Sequence, residues 1–156
     1  MEPTTSSQTN HTFLEELRRR RGELRESLDA LELSLSAPAA ADRAGWVRRV
    51  HDGLGGLAHD FEHHIDLTEG ADGLYQELLA ASPRLSEAVS RLTAEHSAIR
   101  KQIDDLLARV DTAGDLEHVT VVRDLGTDLL GSLIRHRQRG ADLVYEAYEF
   151  DIGGDT

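Results

Sequence analysis

Apolar residues recur along this chain at intervals of three, four and seven positions, which is the spacing of an amphipathic α-helix. The first such stretch runs from about Thr12, a good N-cap residue, to Ser36, just ahead of Pro38. A second stretch follows Asp42, which can cap it, and continues to the glycines at positions 70 and 73. The pattern therefore predicts two long helices in the first half of the chain.

Helical periodicity returns after the glycines. The stretch from Leu74 to Ala81 predicts a short helix, Pro83 suits the first turn of a third long helix, and a turn at 111–115 precedes a fourth. Long helices with short connections predict an all-α fold, an antiparallel up-down-up-down four-helix bundle. We expect a disordered N-terminal lead at 1–11, the bundle at 12–150 and a short tail at 151–156.

Three histidines interrupt the apolar stripes of different helices. His64 borders the core side of the second helix, His96 takes the centre of the third stripe, and His136 lies within the fourth. Counted from the turns at about 1.5 Å per residue, their depths agree to within roughly one helical turn. Glu69 borders the same stripe as His64 from the other side. The spacing therefore predicts that these groups share one layer of the bundle.

One histidine on an apolar face is more often a core residue bonded to a backbone carbonyl than a metal ligand. Three at one depth beside a carboxylate favour a shared role, because each buried imidazole otherwise needs its own polar partner. We therefore predict that His64, His96, His136 and Glu69 hold a metal ion. Imidazole and carboxylate together suit iron, manganese or zinc. His59 and His63 point nearly opposite the stripe of the second helix, and both are expected to be exposed.

Composition narrows the chemistry further. The 156 residues include no cysteine, which excludes disulfides, thiolate metal sites and thiol catalysis. The formal net charge of −12 argues against a nucleic-acid partner. No apolar run reaches about 18 residues, so no membrane span is expected, and the first ten residues lack the layout of a signal peptide. We expect a soluble, cytoplasmic protein, either a monomer or a homodimer.

At the predicted ligands the sequence resembles the hemerythrin-like, or HHE cation-binding, family. His64 with Glu69 resembles the His-plus-carboxylate pair on the family's second helix. Glu95 and His96 resemble the Glu-His that opens its third helix, and His136 resembles the histidine of its last helix. The resemblance covers most of residues 45–150. It implies a four-helix bundle that holds non-haem iron, as one or two ions, with manganese and zinc as alternatives.

The first three helices depart from that family pattern. The family has a histidine on its first helix, where this chain offers Arg20 and Arg21. Arg100 replaces the second histidine of the third helix, and the spacing from His64 to Glu69 is five positions instead of four. The family's ligand set for two ions is therefore incomplete in this chain.

The last helix departs from the pattern as well. Ala141 stands where the family has an aspartate, and Asp142 and Glu146 are the further ligand candidates there. Asp142 points away from the apolar stripe on a regular helix, although Gly140 could permit a distortion. The residues present fit a single metal with three histidines and one glutamate better than they fit a pair of ions.

Two functional hypotheses follow from the resemblance and the ligand count. In the first, the site binds or processes a small ligand such as O2, NO or peroxide, and Arg20 or Arg21 stabilises a bound anion. Tyr75 could serve there as a ligand or redox group, but packing at the core edge is the simpler role for Tyr75, Tyr145 and Tyr148. In the second, the chain is a non-enzymatic sensor or structural bundle whose metal site has decayed.

Overall fold

The computed structural model describes residues 4–112 and 116–148, and this part of the chain contains helices and turns with no strand. Its five α-helices are α1 (Thr4–Ser36), α2 (Arg43–Glu69), α3 (Leu74–Ala81), α4 (Ser86–Asp111) and α5 (Leu116–Glu146). A single 3-10 turn at Pro83–Leu85 links α3 to α4. None of the described helices has an apolar stretch of the length needed to cross a bilayer.

The predicted helices match the observed ones closely, except at the start of α1. This helix begins at Thr4 instead of Thr12, so residues 4–11 of the expected disordered lead are helical. A threonine that can cap a helix can also lie inside one when neither glycine nor proline precedes it there, and positions 4–11 contain neither. The predicted tail at 151–156 lies outside the described residues, and the division into lead, bundle and tail stays a prediction.

Both ends of α2 are set by local hydrogen bonds. The side chain of Asp42 accepts a hydrogen bond from the backbone N–H of Gly45 at 3.0 Å, which is the predicted N-cap. At the other end the N–H of Gly70 bonds to the carbonyl of Asp66 at 3.0 Å. A β-carbon at Gly73 would lie 2.7 Å from the carbonyl oxygen of Thr68, so only glycine fits this turn. The tight turn folds α3 back toward the end of α2.

The four long helices form a bundle. α1 packs against α2 and α5, and α4 packs against the same two helices. The predicted all-helical bundle is thus observed, while the alternation of helix directions stays a prediction. The buried apolar residues fall into two clusters, which we call the lower and upper clusters. The lower cluster includes Trp46, Phe61, Ile99 and Leu133. The upper cluster includes Leu74, Tyr75, Leu78, Leu92 and Leu143.

Arg123 connects three helices at the lower end of the bundle. Its guanidinium donates hydrogen bonds from α5 to the carbonyls of Leu35 at 2.9 Å and Ala37 at 2.7 Å. These carbonyls lie at the end of α1, where the helix has no donor of its own. The same guanidinium lies 5.4 Å from the ring of Trp46, which is fully buried in the first turn of α2. Arg123 therefore ties α1, α2 and α5 together.

Replacing Arg123 with methionine keeps most of the aliphatic stem and removes both hydrogen bonds. We expect a loss of about 1–3 kcal/mol in the free energy of unfolding, because two part-buried carbonyls lose charged donors. Urea unfolding measures this loss. Arg91→Met, at an exposed position of α4, is the matched control and should change stability by less than about 0.5 kcal/mol. Equal losses in the two variants would contradict the role given to Arg123.

Candidate metal centre

His64, His96 and His136 enter the bundle from α2, α4 and α5 and meet at one level. One nitrogen of each ring lies within 4.8 Å of the corresponding nitrogens of the other two. The ring centroids are 5.0 Å apart for His64 and His96, 5.4 Å for His64 and His136, and 4.7 Å for His96 and His136. His96 and His136 are 1% and 4% exposed, and His64 is half-buried. We call this group the histidine triangle.

The histidine triangle separates the two apolar clusters of the core. On α4, His96 lies between Leu92 of the upper cluster and Ile99 of the lower one. Phe61 supports the triangle with its ring, stacked on His64 at 5.7 Å and edge-on to His96 at 5.6 Å and to His136 at 6.3 Å. The surrounding apolar packing thus fixes the level at which the three polar rings meet.

Two carboxylates hold the outer nitrogens of the triangle. An oxygen of Glu69, the last residue of α2, lies 2.6 Å from Nδ1 of His96. An oxygen of Glu95 lies 3.3 Å from Nδ1 of His136, and the other oxygen of Glu95 pairs with Arg139. A carboxylate on one ring nitrogen fixes the orientation and tautomer of an imidazole and leaves the other nitrogen for a metal. Nε2 of His136 does face Nε2 of His64, at 3.3 Å.

Tyr75 reaches the triangle from α3. It is 6% exposed, its hydroxyl lies 3.4 Å from Nε2 of His96, and the two rings stack at 5.8 Å. Burial raises the pKa of Tyr75, so the side chain is a neutral phenol that can donate a hydrogen bond. Tyr145 and Tyr148 were expected to pack at the edge of the core, but they are exposed, at 59% and 39%.

The three imidazoles are neutral at physiological pH. Burial lowers the pKa of His64 to about 3, and His96, His136 and Arg21 add to the effect. Burial, together with His136 and Arg100, likewise lowers the pKa of His96 to about 3. Burial also lowers the pKa of His136, although the hydrogen bond with Glu95 opposes it. A neutral imidazole carries a lone pair on one nitrogen and is the form that binds metal, so the triangle fits a cation.

The further ligand candidates on α5 lie elsewhere. Asp142 is exposed and accepts a hydrogen bond from Gln138 at 2.9 Å, and Glu146 accepts one from Arg84 at 2.9 Å. α5 remains an α-helix through Gly140, so the distortion that would turn Asp142 inward does not occur. Six residues after His136, a regular helix directs a side chain to another face. The structure therefore brings neither carboxylate to the triangle.

Arg100 and His59 lie on the outer surface of the bundle. The guanidinium of Arg100 forms a bidentate ion pair with Glu62 of α2, at 2.5 and 2.7 Å. Arg100 stands where the family resemblance implies a second histidine on α4, but its side chain lies on Glu62 and not at the triangle. The prediction that His63 is exposed is wrong, since its side chain is half-buried with its ring 4.5 Å from that of His59. His59 itself is exposed, as predicted. It provides a histidine on α2 that is separate from the candidate site.

A partly enclosed cavity of about 100 Å³ lies beside the triangle, between α1 and α5. His64, His136, Thr68 and Tyr75 line it with polar atoms. Gly140 also lines the cavity. A β-carbon built at Gly140 meets no atom within 4 Å, so this glycine borders free space. A small molecule in this cavity would lie directly against two of the three imidazoles.

The fold and the triangle together define a helical bundle with a candidate cation site. Residues 12–148 match the hemerythrin HHE cation-binding domain. This match covers most of the chain, so the protein belongs to the hemerythrin HHE family, as the resemblance predicted. A metal ion is the cofactor that such a domain implies, and the histidine triangle is compatible with one. No curated protein and no solved structure matches the chain.

The role of Glu95 could not be found from the sequence. The sequence pointed to Glu95 only as part of the Glu-His pair that resembles the family's third helix, and this resemblance does not name His136 as its partner. Its contact with His136 depends on how α4 and α5 are rotated and shifted relative to each other. The one signal in the sequence for a role of Glu95 at the site is that this carboxylate directly precedes a core histidine.

The low pKa values of the triangle predict that acid destabilises the metal-free protein. In the unfolded chain a histidine has a pKa of about 6.5. As the pH falls below about 6.5, the unfolded state binds protons that the folded state does not. The free energy of unfolding is therefore highest above about pH 6.5 and decreases as the pH approaches about 3. Urea unfolding in the presence of a chelator at several pH values measures this slope.

The variant His96→Gln should have a shallower slope, because one titrating imidazole is removed. His59→Ala, on the exposed face of α2, should keep the slope of the unmodified protein. The assignment would be wrong if the slope of His96→Gln were the same as that of His59→Ala.

Proposed function

We propose that this protein binds a non-haem metal ion, with iron as the preferred metal, through His64, His96 and His136. We further propose that a small molecule such as O2, NO or peroxide reaches the site through the adjoining cavity. The main support is the convergence of three neutral imidazoles from three helices to within 4.8 Å. Membership of a cation-binding family supports the same conclusion.

The surrounding residues would orient the ligands. In this proposal Glu69 and Glu95 act on the outer nitrogens of His96 and His136, a role that raises the basicity of a ligating imidazole. The sequence suggested Glu69 as a direct ligand. Its 2.6 Å contact with Nδ1 of His96 supports an orienting role, because Glu69 would have to give up that contact to reach the ion.

The ligand count supports one ion per chain. Among the described residues, the group that could hold a metal contains the three histidines and no carboxylate. Three imidazoles leave coordination positions open, at which bound iron would supply ligand binding and redox chemistry. The phenol of Tyr75 lines the cavity, where it can donate a hydrogen bond to a molecule beside the imidazoles. The hydroxyl of Thr68, which also lines the cavity, donates to the carbonyl of His64 at 2.8 Å. The leucine side chains around them make most of the cavity wall apolar.

A second candidate function is a structural or sensor bundle with a decayed site. Two positions at which the family resemblance implies histidine are arginines in this chain, and one of these, Arg100, is held at the surface by Glu62. The other lies on α1, where Arg20 and Arg21 stand. A bundle of this kind would keep the triangle as a buried polar layer without loading it with metal.

Metal analysis of the purified full chain tests the first candidate. We expect about one ion per chain in the unmodified protein and in His59→Ala, and loss of the ion in His96→Ala, because a site of three ligands cannot spare one. Elemental mass spectrometry measures the content, and circular dichroism verifies that each variant is folded. Equal metal content in His96→Ala and His59→Ala would exclude the triangle as the site.

Chelation separates the two candidates. A metal bound only by the native state adds stability, so exhaustive removal should lower the melting temperature if the triangle is loaded. Adding the metal back to the chelated protein should restore the original value. A melting temperature that chelation leaves unchanged would favour the structural or sensor bundle.

A further inference from the structure

Arginines cluster around the cavity beside the triangle. Arg20, Arg21 and Arg25 approach it from α1, and Arg137 approaches it from α5. The chain as a whole has 29 acidic residues against 17 lysines and arginines. Even so, no acidic side chain is among the described residues that line this cavity. The positive charge at the cavity is therefore local and opposite in sign to that of the whole protein.

Within the residues that the structure describes, three of these arginines have no anionic partner. Arg20 is neutralised by Glu16 and Glu23, each at 3.0 Å. Arg21, Arg25 and Arg137 form no ion pair within the described part of the chain. Arg21 and Arg25 lie four positions apart on one face of α1, where like charges repel. All three are exposed, so they form the rim of the cavity. Their mutual repulsion would be relieved by an anion at this rim.

The interior of the cavity is apolar. Seven leucines line it: Leu17, Leu24, Leu28, Leu67, Leu74, Leu133 and Leu143. Its volume of about 100 Å³ is of the order of the engineered cavity of about 150 Å³ that holds benzene. Since its mouth is open, a body of roughly four to six carbons can enter with a polar group left at the rim. A bare inorganic anion would leave the leucine-lined interior empty.

We propose that this cavity binds a small organic monocarboxylate, with its apolar body among the leucines and its carboxylate at Arg21, Arg25 and Arg137. Guanidinium groups bind carboxylates through paired, charge-assisted hydrogen bonds. The neighbouring groove between α1 and α5 is also lined by Arg25 and Arg137, but Asp29 and Glu32 line it as well, whereas no acidic side chain among the described residues lines the cavity. The inference deepens the proposed function, because the apolar body would lie against His64 and His136, but the arginines do not depend on a metal.

Calorimetric titration of the full chain with benzoate and with benzamide tests the charge requirement. The two probes have nearly the same shape, and only benzoate is an anion. In chelated protein at low salt, benzoate should bind at least about tenfold more tightly than benzamide, because only benzoate pairs with the guanidinium groups. Inorganic phosphate is an anion that has no apolar part. It should bind more weakly than benzoate, because it leaves the leucine-lined interior empty.

Matched variants locate the site. Arg21→Gln and Arg137→Gln should each remove most of the preference for benzoate. Arg18→Gln changes the net charge by the same amount on α1, but Arg18 does not line the cavity, so this variant should keep the preference. Gly140→Leu should weaken both probes by filling the free space beside Gly140, and it should not destabilise α5, because leucine favours a helix more than glycine does.

Four results would overturn the inference. Equal binding of benzoate and benzamide would remove the role of the arginines, and equal effects of Arg18→Gln and Arg21→Gln would reduce that role to the general field of the protein. Phosphate binding as tight as that of benzoate would point to an inorganic anion. Benzoate binding that needs metal and ignores Arg21→Gln would place the carboxylate on the ion. Benzoate binding to a chain that holds no metal would sustain this inference while the proposed function fails.

Discussion

Three imidazoles packed against one another inside an apolar bundle must remain neutral and must find polar partners. This constraint explains most of the surrounding structure. Glu69 and Glu95 take the outer nitrogens of His96 and His136, and Tyr75 approaches the remaining nitrogen of His96. Between His64 and His136 two nitrogens face each other at 3.3 Å, and no more than one of them can carry the shared proton. A cation at this place would satisfy the lone pairs that the protein leaves pointing inward.

The bundle holds this polar layer in place from both sides. The lower cluster provides Phe61, whose ring contacts all three imidazoles, and Arg123 fixes α1, α2 and α5 at that end. The upper cluster includes Tyr75, which the tight turn at Gly73 directs toward the site. Because the two clusters bury apolar side chains on both sides of the histidines, the layer between them can hold polar groups that would otherwise destabilise a core.

Arginines take the place of the ligands that the family resemblance implies but this chain lacks. On α4, Arg100 turns outward to Glu62 and leaves the triangle without a fourth imidazole. On α1, Arg20 is held by two glutamates, whereas Arg21 remains close enough to help lower the pKa of His64. The missing ligand of α1 thus coincides with an open cavity that has a positive rim, in a protein whose net charge is −12. The part of α1 that lacks this ligand lines the cavity instead.

The sequence by itself determined the helices and which of their faces turn inward. Asp42 caps α2, α3 spans Leu74–Ala81, and the histidines of the apolar stripes are the ones that meet, because helical periodicity is a local property of the chain. Only the tertiary structure decided that Glu95 contacts His136, that Glu69 faces the outer nitrogen of His96, and that Asp142 and Glu146 stay away. These contacts depend on the rotation and axial shift of one helix against another, which arise from packing across the whole bundle.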